Sequence, residues 1–183
     1  GYPLWYPEPD DNLPEACRDE GLRIGDVGIV TERGTFDVLF NICLPAEHPL
    51  NQRGGVPATF KQVQLSDPDV CKFRRADHAG RAISTKSICE RNVTASIAGG
   101  NSTVAPAQLG LKLNFTSTSA EGAILVLPEG AGTEDLLKLD TFEKEAKENG
   151  ESWYRYAYVD RGRTTINNDS LYLITGHHKA SSW

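Results

Sequence analysis

The chain has 183 residues, 39% hydrophobic and 24% charged, which suits one folded domain or at most two small ones. No apolar run approaches the roughly 18–20 residues of a membrane span, and a formal net charge of −6, from 19 Lys and Arg against 25 Asp and Glu, argues against a globally basic nucleic-acid binder. The 17 Gly and 10 Pro point to a turn-rich, β-containing domain, and the absence of Met suggests a processed chain or a piece of a longer protein.

Residues 1–20 are expected to form an extended arm followed by a short helix. Pro3, Pro7 and Pro9 exclude a regular helix or central strand at the start, so Trp5 and Tyr6 are expected to pin the arm to the body. A helix is predicted over 13–20, with Asn12 as its N-cap, Pro14 in its first turn and Gly21 at its end. The remainder, 21–183, is expected to be a single domain.

Residues 22–31 predict a strand or strand pair, and Glu32-Arg33-Gly34-Thr35 a turn. Alternation over 36–42 predicts the second strand of a β-hairpin. The glycines of Gly25-Asp26-Val27-Gly28 suit a β-bulge or a close backbone approach better than a phosphate loop. Residues 44–60 read as a long loop, and Val63-Gln64-Leu65 as the start of another strand. Alternation over 70–91 is weak, with Val70, Phe73, Ile83 and Ile88 as core candidates. The small, polar stretch 92–110 reads as a mobile loop.

Leu109, Leu111, Leu113 and Phe115 share one face of a predicted strand. The continuous run Ala123-Ile124-Leu125-Val126-Leu127 predicts a buried central strand ended by 128–132. The main amphipathic helix is expected over 133–149, capped by Thr133, favoured by Glu134 and Asp135, and stopped at Gly150, with Asp140 as a place where it splits. Residues 153–159 read as an aromatic-rich strand or a short helical turn, and 171–176 as a strand. Sequential strands with one late helix give an α+β fold with a mixed or antiparallel sheet.

Charge is uneven. Residues 1–60 carry −6, residues 61–120 carry +4 and residues 121–183 carry −4. The basic excess includes Lys72, Arg74, Arg75, Arg81, Lys86 and Arg91. It forms either a solvated sheet face or a contact patch for an acidic partner or lipid surface. The second concentration of binding chemistry is Trp153, Tyr154, Arg155 and Tyr156, with Tyr158, Arg161 and Arg163 close behind. Aromatic residues beside Arg suit either an interface or a core and lid.

Catalytic and metal chemistry is poorly marked. There is no P-loop, nucleophile elbow or H-E-x-x-H motif. His177 and His178 are neighbours on a predicted strand extension, so they face opposite ways and read as surface residues after the strand. Asp26 and Asp37 stand out as acids in apolar strand sequence, where turn-capping or outward-facing roles are expected. No catalytic residue, metal ligand or cofactor is assigned.

Cys17, Cys43, Cys71 and Cys89 form no C-x-x-C, and mostly free thiols are expected, although two disulfides would allow three pairings. Sequons begin at Asn92, Asn101, Asn114 and Asn168. No leader is recognisable, so a cytoplasmic location is expected, with secretion as the alternative that the sequons suggest.

The segment from Gly21 to Gly28, then 34–43, 121–128, Trp153-Tyr154-Arg155-Tyr156, 170–176, Lys179 and Ser182-Trp183, resembles a family from mushroom-forming (basidiomycete) fungi of unknown function. The resemblance spans most of the chain, implies a longer C-terminus and carries over no catalytic residue. Residues 171–175 and Gly25-Asp26-Val27 are also similar to strands of gasdermin pore-forming domains. That similarity implies a domain that meets acidic lipid through Arg74, Arg75 and Arg81.

Three functions are thus expected in order: a non-enzymatic binding or interaction domain of a fungal protein whose ligand is unknown, with a protein partner or an acidic lipid surface as the candidate partners, then a gasdermin-like membrane-acting module, and then an enzyme with an unrecognised site. Nucleic acid is not an expected partner.

Overall fold

A computed structural model describes Leu4, Tyr6 and residues 8–85, 88–96, 110–117 and 123–182. The fold is α+β with antiparallel sheets and one main helix. In chain order the elements are α1 (Glu15–Glu20), β1 (Asp26–Val30), β2 (Phe36–Asn41), α2 (Pro49–Gly54), β3 (Val70–Asp77), β4 (Arg81–Ser84), β5 (Ile88–Ser96), β6 (Gly110–Ser117), β7 (Ile124–Leu127), β8 (Ala131–Leu136), α3 (Leu139–Arg155), β9 (Leu171–Leu173) and β10 (Gly176–Ala180). Strands β2-β1-β9 form one sheet and β10-β8-β3 another, while β4 pairs with β7 and β5 with β6.

The chain divides into two compact units. Unit 1 comprises Gly1–Phe73 and Thr133–His178; unit 2 comprises Arg74–Gly132 and Lys179–Trp183. This partition sorts the charge. Unit 1 collects both acidic ends of the sequence, with 12 Lys and Arg against 21 Asp and Glu, for a net −9. Unit 2 holds 7 against 4, for a net +3.

In unit 1, β1 and β2 make the expected hairpin. Gly34, at φ +80°, closes its turn, where the Gly34 and Thr31 amides donate to Thr31 O and Thr35 O. The register shifts between Val27 and Gly28, so Val27 faces Phe40 and Gly28 faces Val38. A side chain on Gly28 would collide with the Asp37 carbonyl and the Phe36 ring, so the glycine marks a bulge with close backbone approach. β9 pairs with the other edge of β1, which makes β1 the central strand and buries four of its five residues.

The core of unit 1 joins Val27, Leu39, Phe40 and Ile42 to Val63, Leu136, Phe142, Trp153, Tyr156 and Ala157. Phe40 is its hub. Its ring meets Phe60, Trp153 and Tyr156 edge-on, with centroids 6.4, 5.8 and 5.6 Å away. Each such pair adds about 0.5–1.5 kcal/mol beyond the area buried.

Several elements differ from the sequence-based expectation. α1 is shorter than predicted and starts after Pro14, with no side-chain cap from Asn12. The 44–60 loop contains α2, whose first residue is Pro49 and whose N-cap is His48; Nδ1 of His48 accepts the Leu50 amide at 3.2 Å. Val63 is buried but lies in no strand; its amide donates to Ile42 O. Ala123–Leu127 is not a buried central strand. β7 has β4 as its partner in a two-stranded ribbon, Ile124 and Leu125 are exposed, and only Leu127 is buried.

The main helix is displaced by a turn and a half. Residues 133–136 belong to β8, where Gly130 at φ +82° turns the chain after β7 and the Leu136 amide donates to Thr175 O. α3 then starts at Leu139, runs through Gly150, and continues as a π-helical turn, Tyr156–Asp160. Trp153–Val159 is therefore helical, not a strand. Gly150 costs about 1 kcal/mol relative to Ala in a helix. Burying Trp153, Tyr156 and Ala157 beyond it returns more, since one large apolar side chain contributes about 1.5–3 kcal/mol.

Candidate binding surfaces

The aromatic run at the end of α3 separates into roots and tips. Trp153 and Tyr156 are each only 4% exposed, so they are core residues and offer no surface to a partner. Helical periodicity, the second of the two readings that the sequence allows, places them on the inner side. Tyr154 and Arg155 fall outside the core: Tyr154 is half-buried, and Arg155 is exposed. Tyr158, which is 40% exposed, stacks on Tyr154 with centroids 6.0 Å apart and an interplanar angle of 22°. Val159 is 61% exposed. The Tyr154 hydroxyl donates to Ile166 O at 3.1 Å, which fixes the inner ring of the pair.

The two arginines after the π turn are structural. Nη1 of Arg161 donates to Leu39 O at 3.0 Å and to the Tyr156 hydroxyl oxygen at 3.2 Å. Tyr156 in turn reaches the Gly54 and Gly55 carbonyls at 2.9 and 2.7 Å. A side chain at Gly54 would collide with the Arg161 guanidinium, so the glycine leaves the space that Arg161 occupies. Arg163 Nε meets Asp37 Oδ2 at 2.7 Å, and its amide donates to Ala157 O. Asp37 is thus an ion-pair partner for the helix end. Together these bonds hold the wide turn open and present Tyr158 and Val159 outward, and π turns recur at functional sites.

Unit 2 carries the basic candidates. Arg74 and Arg75 are exposed on β3. Arg81 is exposed as well, and it pairs with the buried carboxylate of Asp77, which ties it to the β3–β4 turn. On the β4–β7 ribbon Ile83 lies directly opposite Leu125, and the two are 39% and 42% exposed. Lys86 lies outside the described residues, and Arg91 is on β5.

Asp26, the other conspicuous acid, is buried and fixed. It accepts the Arg23 amide on Oδ2 and the Asn41 side-chain amide on Oδ1, both at 2.7 Å. The Cys43 thiol is pushed up to about 12 by burial, with the Asp26 charge adding to it. Cys17, Cys43 and Cys71 are free thiols. Burial works against the charge of Arg23, yet hydrogen bonds to Glu20 and Cys17 hold its guanidinium above its ordinary range. A cleft under the N-terminal segment, bounded by Leu4, Pro9, Leu13, Leu22, Phe36 and Leu50, has room for water and not for a larger ligand. The arm itself is held by the Tyr6 amide on Gly34 O and by Asp10 on Arg53 at 3.2 Å; the Tyr6 ring is 58% exposed, and Trp5 lies outside the described residues. The Asn12 amide, above all, holds the Asp10 carboxyl below its usual value.

His177 and His178 follow β9, as expected, but lie in a strand of their own, β10. His177 is 3.8 Å from Glu134, and His178 is exposed. Among the described residues no three His, Cys, Asp or Glu side chains gather as a metal site would require. No helix of the described residues is long and apolar enough to cross a membrane.

His48 yields a pH prediction. Burial, reinforced by the Arg23 charge, lowers its affinity for a proton, and protonation removes the acceptor that caps α2. The unfolded chain therefore binds the proton more tightly, so this stabilisation is complete above about pH 6.5 and falls as pH drops below it. Amide exchange at Leu50, corrected for intrinsic rate, should quicken between pH 7.5 and 5.5. His48→Asn, which keeps a cap, should abolish that dependence; unchanged protection in the parent chain would refute the assignment.

No family model matches the chain, and neither a curated protein nor a solved structure matches it.

Proposed function

We propose that the chain is a non-enzymatic binding domain whose partner is a protein docking at the end of α3. The observation that supports this most is the stacked Tyr154–Tyr158 pair beside exposed Val159 and Arg155. Aromatic and Arg side chains dominate interface energetics. A ring already stacked on a neighbour that is itself fixed by a hydrogen bond loses little freedom on binding, which lowers the entropic cost of association. Unit 1 carries a net −9, so a basic or neutral partner suits this surface better than an acidic one.

The test is selection of protein ligands from a displayed library of fungal open reading frames, followed by titration against the parent chain and a Tyr158→Ala, Val159→Ala variant. Both positions are exposed, so circular dichroism should be unchanged. Ligands should lose about thirtyfold in affinity, the equivalent of a 2 kcal/mol hot spot. Ligands that bind both forms equally would overturn the reading.

A second reading, a gasdermin-like membrane-acting module, draws on unit 2. Exposed Arg74 and Arg75, the net +3 charge and the exposed Ile83–Leu125 pair combine cationic and apolar groups suited to an anionic lipid surface. Co-sedimentation with phosphatidylserine or cardiolipin vesicles should fall when Arg74 and Arg75 become Glu. No enrichment of the parent chain on those vesicles would end this reading and leave the protein-binding one standing.

A further inference from the structure

The chain contains nine Asn, of which four are followed two residues later by Ser or Thr with no Pro between. With 24 Ser and Thr among 183 residues, about one such tripeptide would arise by composition alone. Asn92 and Asn114 fall on β5 and β6, and Asn101 lies outside the described residues. Asn168 is different. It occupies an exposed turn in unit 1, at Asn167–Ser170, immediately before β9. The Ser170 amide donates to Asn167 O at 3.1 Å, and Ser170 Oγ accepts the Asn167 amide at 3.2 Å. Asn167, Asn168 and Asp169 are all exposed.

The turn is anchored on both sides. Upstream, Ile166 O takes the Tyr154 hydroxyl; downstream, Leu171–Leu173 pairs with β1. An acceptor asparagine must lie on a projecting, accessible loop and tolerate a bulky, hydrated substituent. The Asn168 turn meets those demands without disturbing the core.

We propose that Asn168 is an N-glycosylation acceptor when the chain enters the secretory route. The donor is an oligosaccharide joined to a lipid through a diphosphate. Asn168 Nδ2 forms a bond to the first sugar's C1 as the bond from C1 to the diphosphate oxygen breaks; the lipid diphosphate leaves with the electron pair, and the amide nitrogen gives up one proton. Two of the three free thiols that the structure describes do not oppose an oxidising compartment. Cys17 is buried, and the Cys43 thiol, raised to about 12, stays protonated and slow to exchange.

The experiment is expression of the full chain behind a cleavable leader in a yeast, beside a control glycoprotein, with peptide mapping after treatment with a peptide N-glycosidase, whose amidase action leaves Asp at each occupied position. Occupied Asn168 is expected in most secreted molecules. It should be lost in Ser170→Ala, which keeps the asparagine, and retained or increased in Ser170→Thr. An unmodified Asn168 in cells that fully glycosylate the control, or modification that survives Ser170→Ala, would overturn the proposal.

Discussion

Replacing Phe40 by Ala should cost unit 1 about 3–5 kcal/mol, the usual penalty for emptying a buried aromatic site. The ring is fully buried and meets Phe60, Trp153 and Tyr156, so its removal deprives three aromatic neighbours of a common partner. That loss is a large share of the roughly 5–15 kcal/mol by which domains are stable. Urea unfolding followed by near-ultraviolet circular dichroism should show the midpoint falling sharply, with aromatic signal lost before far-ultraviolet signal. Phe40→Leu, which keeps most of the volume, should cost much less. A change below about 1 kcal/mol for Phe40→Ala would mean that the core is not organised around this ring.

Asn51→Leu is expected to be nearly as damaging although the side chains are similar in size. Asn51 is fully buried on α2. Its Oδ1 accepts the Asn41 amide at 2.8 Å, and Nδ2 donates to Asn41, Leu44 and Pro45 carbonyls at 3.0, 3.1 and 3.0 Å. Leu would strand those groups, and each buried polar group left unpaired costs about 1–3 kcal/mol. Some of the carbonyls can turn to water, so a total near 3–5 kcal/mol is expected. Asn41 extends the same network, since its Oδ1 accepts the Cys43 and Leu44 amides at 2.7 and 3.1 Å. Hydrogen exchange at Asn41, Cys43 and Leu44 should therefore accelerate together in the variant. Exchange confined to Asn41, with stability unchanged, would show that the network does not act as a unit. Asn51→Asp supplies a control: it keeps the acceptor but turns negative oxygens toward three carbonyls, and it should be no better tolerated than Leu.

This polar network was not legible in the sequence. Asn41 and Asn51 stand ten positions apart within segments that read as a strand and a loop, and neither carries a local signal of burial. A helix hidden in 44–60 was detectable in principle, because Pro49 at a first helical position is a known starting signal. The surrounding Pro and Gly obscured it. Arg163 and Asp37 meet across 126 positions of sequence, and only the folded chain brings them together.

The binding candidates show the same division. Composition singled out Trp153, Tyr154, Arg155 and Tyr156, but composition carries no period. Helical geometry sends Trp153 and Tyr156 inward and turns attention to Tyr158 and Val159. Among the basic residues, Arg74, Arg75 and Arg81 are all exposed, and Arg81 is in addition paired with Asp77.

By itself the sequence determined the α+β class, the β1–β2 hairpin, the bulge glycine and the existence of a late helix, because turn residues and short-range periodicity act over a few positions. Tertiary structure decided where that helix begins and ends, since burial of Trp153, Tyr156 and Ala157 outweighs the local signals at Thr133 and Gly150. It also decided that Ala123–Leu127, apolar throughout, lies on an exposed ribbon: whether an apolar strand is covered depends on what packs over it, and no local pattern encodes that. The charge pattern belongs to both. The order of acidic, basic and acidic stretches is written in the chain, but only folding merges the two acidic ends into one unit and gathers the basic middle into another.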